Sequence, residues 1–91
     1  MTNIYIYILF DNYKGRGGLF RGVYSSIKAA HRDAIKLANR GDTEVILMHE
    51  GTRLQPNLAS VRNTFKGKCD VEIKYRTGLS NVSLYKTRLK E

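Results

Sequence analysis

Sixteen Lys and Arg stand against eight Asp and Glu in a chain of 91 residues, leaving a formal net charge of +8 at neutral pH. A chain of this length is expected to form one domain with a modest core, and 42% hydrophobic residues with six Tyr and three Phe is too apolar for a disordered one. Cys69, the single cysteine, excludes an internal disulfide and leaves no thiolate metal framework. No run approaches the roughly eighteen apolar residues of a membrane span. The opening MTNIYIYILF lacks the basic leader and cleavage site of a signal peptide, so a soluble cytoplasmic protein without a cofactor is expected.

Along the chain, Ile4, Ile6, Ile8 and Phe10 alternate with Tyr5, Tyr7 and Leu9, the period of two of a strand inside a sheet. Residues 12–18 (NYKGRGG) hold three glycines and two cations and read as a basic loop. Leu19 to Tyr24 returns as the second strand of an antiparallel hairpin. Ser25 or Ser26 then caps a helix that runs to about Arg40 and stops at Gly41. Ile27, Ala30, Ala34, Leu37 and Ala38 share the helix face that packs on the sheet.

Thr43 to Met48 is nearly continuous in apolar residues and reads as a buried third strand. Pro56 to Phe65 reads as a short helix, with Pro56 in its first turn and Gly67 closing it. Cys69 to Thr77 alternates Cys69, Val71, Ile73 and Tyr75, facing inward, with Asp70, Glu72, Lys74 and Arg76. Val82 to Arg88 is a more polar strand, expected at a sheet edge. The order ββαβ(α)ββ predicts one α+β domain over residues 1–91, with a largely antiparallel sheet of about five strands and one main helix.

Charge is segregated along this pattern. Residues 12–41 hold seven cations and one acid, Asp33; residues 53–69 hold four cations and no acid; residues 73–90 hold five cations and no acid. Within the long helix, Lys28, Arg32, Lys36 and Arg40 recur every four residues, so successive members lie about 6 Å apart along the axis and are rotated by only about 40°. They form a basic ridge opposite the alanine face, a spacing that suits a row of phosphates. The glycine loop adds Tyr13, Lys14 and Arg16, with Arg21 just beyond, a ring beside cations as in single-strand RNA sites where bases stack and phosphates are neutralised. These eight residues are the candidate nucleic-acid contacts. No zinc-finger spacing, GXXG clamp or RNP-type aromatic motif is present, so binding of low sequence specificity to single-stranded or structured RNA is expected.

A solvated helix face and a plain hairpin loop account for the same residues without a ligand, and a basic module docking on an acidic host protein is the alternative function. Tyr75 and Tyr85 could stack bases beside Lys74, Arg76, Lys86, Arg88 and Lys90 on the last hairpin, although Tyr75 shares a face with Val71 and Ile73. Catalysis has thin support: only His31 and His49 titrate near neutrality, His31 flanks the apolar helix face, and His49 has Glu50 beside it. A non-enzymatic protein is expected. The small core also favours a homodimer, in which a second copy covers apolar surface that one copy leaves open.

The stretch LFRGVYSSIKAAHRDAIKLANRG, after a strand such as IYIYILF, resembles short accessory proteins of T-even-type bacteriophages in which a G-V-Y-S-S strand end runs directly into an Ala-rich helix. In size, basicity and lack of catalytic residues the chain is similar to the TifA family, inhibitors of type III toxin–antitoxin ribonuclease toxins. The resemblance implies a dimeric RNA-binding protein in the cytoplasm of an infected bacterium. It also implies a counter-defence role, in which RNA and a ribonuclease toxin are gathered into an inactive assembly.

Overall fold

The computed structural model describes residues 4–12, 18–39, 44–78 and 80–89. Its elements are strands β1 (Tyr5–Asp11) and β2 (Leu19–Tyr24), helix α1 (Ile27–Ala38), strands β3 (Ile46–His49) and β4 (Thr52–Leu54), helix α2 (Leu58–Phe65), and strands β5 (Val71–Arg76) and β6 (Asn81–Arg88). The strands form one six-stranded sheet in the order β2-β1-β6-β5-β3-β4, with every neighbouring pair antiparallel. The class is α+β, as the hydrophobic pattern predicts.

The sixth strand, β4, is an addition to that prediction. His49 pairs with Thr52 across a two-residue turn in which Glu50 and Gly51 both have positive φ, 47° and 80°. Tight hairpins require this left-handed pair, and Asn-Gly or Asp-Gly is its usual signature. Glu-Gly conceals it.

Helix α1 starts where its hydroxyl cap predicts: Ser26 has extended backbone angles and its Oγ accepts from the Ala29 amide at 3.3 Å. Ala30, Ala34 and Ala38 are fully buried, and Ile27, Ile35 and Leu37 pack around them. Small side chains here let the helix approach the sheet closely. α2 is capped in the same way by Asn57, whose side chain accepts from the Ser60 amide at 2.9 Å. Val61 and Phe65 of α2 complete a core with Leu9, Leu47, Ile73, Tyr75, Val82 and Leu84 of the sheet. Each fully buried side chain of this size contributes roughly 1.5–3 kcal/mol.

Both helices thus cover one face of the sheet. Tyr7 belongs to that face, its ring 5.9 Å from the Phe65 ring. Ile6, Ile8 and Phe10 alternate with Tyr7 and Leu9, which turns them to the opposite face, where no helix of the described residues lies.

Two local expectations are corrected. β6 is a central strand, paired with β1 on one side and β5 on the other, and not an edge. Its polar residues find tertiary partners: the Lys86 amine donates to the Phe65 carbonyl at 2.7 Å and sits 4.4 Å above the Tyr5 ring, and Ser83 Oγ accepts from the Asn12 amide at 2.7 Å. Cys69 lies outside β5 and is half-buried, because Asp70 takes a left-handed φ of 58° and the extended run begins only at Val71.

Candidate nucleic-acid interface

Lys28, Arg32 and Lys36 are all exposed, on the side of α1 away from Ala30, Ala34 and Ala38. The helical phase therefore presents three members of the ridge to solvent. Arg40, the fourth, lies outside the described residues, as do Tyr13, Lys14 and Arg16 of the glycine loop. Arg21 is described and exposed.

Arg21 joins the ridge through an irregularity in its strand. Leu9 pairs with Gly22 and Phe10 with Phe20, so Arg21 is left without a partner on β1, as an extra residue in a bulge. Bulges re-aim a side chain. Here Arg21 lines a groove of about 420 Å³ between β2 and α1, together with Tyr24, Asp33, Lys36 and Leu37 over a floor at Leu9. One cation from the strand and one from the helix thus flank the same groove.

The groove is braced by a hydrogen bond from the Tyr24 hydroxyl to Asp33 Oδ2 at 2.7 Å, and Arg32 Nε donates to Asp33 Oδ1 at 3.4 Å. The Tyr24 hydrogen bond, with Arg32 and Lys36 nearby, holds the Asp33 carboxyl below its usual range. Burial first, and then its bond to Asp33, pushes the Tyr24 phenol up. Asp33 therefore spends its charge on the protein's own groups, and the open positions of the groove are cationic. Nothing in the sequence pattern marks the Tyr24–Asp33 contact, because it joins an edge strand to a helix across a bulge.

The cations of the last hairpin do not share one face among the described residues, and Lys90 lies outside them. Lys74 and Arg76 are exposed on the uncovered face of the sheet, whereas Lys86 is buried under α2. Tyr75 is fully buried, with its ring 5.6 Å from His31 and its hydroxyl 2.7 Å from His31 Nδ1. Burial pushes the Tyr75 phenol far above its usual range and holds the His31 imidazole below its own. Tyr85 is placed on the uncovered face, where its hydroxyl donates to Asp70 at 3.0 Å.

His49 Nδ1 lies 3.0 Å from the Glu72 carbonyl, to which it can only donate, and its Nε2 stands 3.9 Å from the exposed Glu50 carboxylate. That is a loose contact. Among the described residues no group of three His, Cys, Asp or Glu is placed to hold a metal ion, and no helix is long and apolar enough to cross a membrane.

Searches of protein-family models, of curated proteins and of solved structures each returned no match to this chain. What the fold and the groove define on their own is a small α+β domain with a basic helix face joined to a basic strand bulge.

Proposed function

We propose that this protein is a non-enzymatic RNA-binding module of low sequence specificity. The observation that carries the reading is the row of exposed cations Lys28, Arg32 and Lys36 on α1, the last of which shares a groove with the bulged Arg21 of β2. Cations in a row neutralise successive phosphates and release their counterions, a contact that carries no base identity. In the setting implied by the phage resemblance, the bound RNA links the protein to a ribonuclease toxin in the bacterial cytoplasm. That toxin-directed part rests on the resemblance alone, which covers about the first fifty residues in pattern and the whole chain in size and charge.

Binding of a fluorescently labelled single-stranded RNA across a salt series tests the RNA reading. Four phosphate contacts correspond to a log–log salt slope of about −3, at roughly −0.7 per phosphate neutralised on a single strand. Reversing Lys28, Arg32 and Lys36 to Glu should abolish binding and leave the circular dichroism spectrum unchanged, because the sites face solvent and Glu is as good a helix former as Lys. Reversing Arg53, Arg62 and Lys68 to Glu lowers the net charge by the same six units and is the control; Arg53 already pairs with Glu44 at 3.3 Å. Equal losses from the two triplets would reduce the interface to nonspecific attraction of polyanions. A flat salt response with no RNA bound would overturn the reading and favour docking on an acidic protein.

A further inference from the structure

The face of the sheet opposite the helices carries an apolar stripe that the RNA-binding groove does not use. β1 places Ile6, Ile8 and Phe10 on it, and β2 sets Val23 beside Ile8 and Phe20 beside Phe10, whose two rings lie 6.3 Å apart. At the other end the Leu89 amide donates to the Ile4 carbonyl, which extends the β1–β6 pairing by one row. Ile4, Phe20, Val23 and Leu89 are 49%, 63%, 52% and 44% exposed, and they are four of the five large hydrophobic residues left exposed among the described residues. An uncharged run of this kind along three strands is what marks an interaction surface rather than scattered exposed side chains.

We propose that this stripe is the surface through which two copies of the chain associate, packed sheet face on sheet face. Two observations favour a second copy as the occupant. The first is charge. A chain of net charge +8 repels its own kind over most of its surface, and the stripe is a region where two copies meet without opposing cations. The second is the charge pattern of β5, which lies on the same face beyond β6. Asp70 and Glu72 stand at one end and Lys74 and Arg76 at the other, so a two-fold axis lying across the strands sets the acidic end of one β5 over the basic end of its mate. An isologous contact requires this self-complementarity.

Ile4, Ile6, Ile8 and Val23 suit packing between two sheets, and the Phe10 and Phe20 rings already meet edge to face within the stripe. Because α1 covers the other face, association of this kind leaves both basic ridges exposed, one on each outer side of the pair.

Sedimentation velocity of the purified chain, freed of nucleic acid, tests the proposal. The wild type should sediment at twice 10.4 kDa, and Phe20→Glu with Val23→Glu should sediment at 10.4 kDa with an unchanged circular dichroism spectrum. Leu19→Glu is the control, since Leu19 is 54% exposed but pairs with Asp11 on the helix side of β2, and it should leave the dimer intact. A wild type that stays monomeric up to its solubility limit overturns the proposal. So does a dimer that survives the double variant, or one lost on Leu19→Glu and kept in the double variant, which would place the contact along the β2 edge. The double variant keeps Arg21, Lys28, Arg32 and Lys36 and should still bind RNA, with a loss far smaller than that of the Lys28, Arg32 and Lys36 reversal, so failure of the dimer and failure of RNA binding are separate results.

Discussion

The two faces of the sheet are built from one alternation and meet different fates. On the helix side, Leu9, Leu47, Ile73, Tyr75, Val82 and Leu84 are sealed beneath α1 and α2; on the other side, Ile4, Phe20, Val23 and Leu89 remain about half exposed. The difference is one of supply. A chain of this length has apolar residues enough for two sheet faces but helices enough for one. Burial, not residue type, therefore decides which substitutions the fold feels, and which surfaces are free for partners.

The sharpest way to break that comparison is Phe65→Ala. Phe65 is 1% exposed at the junction of α2 and the sheet, and removing a buried Phe typically costs about 3–5 kcal/mol, enough to unfold much of a domain this small. Denaturant titration followed by circular dichroism should show the midpoint collapse. A loss under about 1 kcal/mol would mean that the covered face is far looser than its burial indicates.

A smaller effect is expected at Lys86, the one lysine held under the helices among the described residues. Lys86→Met retains the stem but removes one of two donors to the Phe65 carbonyl, which keeps the Lys68 amide at 3.1 Å, so the cost should be about 0.5–1.5 kcal/mol. If the variant proves more stable than wild type, desolvation of the amine outweighs its bond to the carbonyl, and the covered face prefers to be wholly apolar.

Acidification should also tell the faces apart. Burial lowers the His31 pKa in the folded state below its ordinary value of 6.5, so the unfolded chain binds the proton first. Stability from the neutral ring is complete above about pH 6.5 and declines as pH falls through the folded pKa. Thermal melts from pH 7.5 down to pH 5 should show this decline in the wild type and a weaker one in His31→Phe; equal slopes would remove His31 as its source. The least effect belongs to the uncovered face: Val23→Thr, measured at high dilution, should change unfolding free energy by no more than about 0.5 kcal/mol.

Much of this fold could be read in the chain, and the parts that could not share a cause. Ser26, the alanines at positions 30, 34 and 38, and the solvent phase of Lys28, Arg32 and Lys36 follow from local rules of capping and helical period, and the structure places them accordingly. β6 was misleading because Ser83 and Lys86 look like solvent-facing residues, while their partners, Asn12 and the Phe65 carbonyl, lie 71 and 21 residues away. The groove was half legible. The helix cations are periodic, but Arg21 shares a groove with Lys36 beside a bulge that shifts the register of β2 by one residue, a feature of its pairing with β1 and not of the residues of β2 alone.

That bulge has a further consequence, for how large an assembly can grow. A sheet invites indefinite extension wherever an outer strand offers regular, unpaired backbone groups. At one end β2 interrupts its regularity at Arg21, where another strand would meet a misaligned ladder and a charge; at the other end β4 is only three residues long, carries Arg53 and is followed within two residues by Pro56. Fibre-like stacking through either end is thereby disfavoured. With growth along the sheet stopped at both ends, a contact made through the remaining face closes on itself, and the particle is finite and countable.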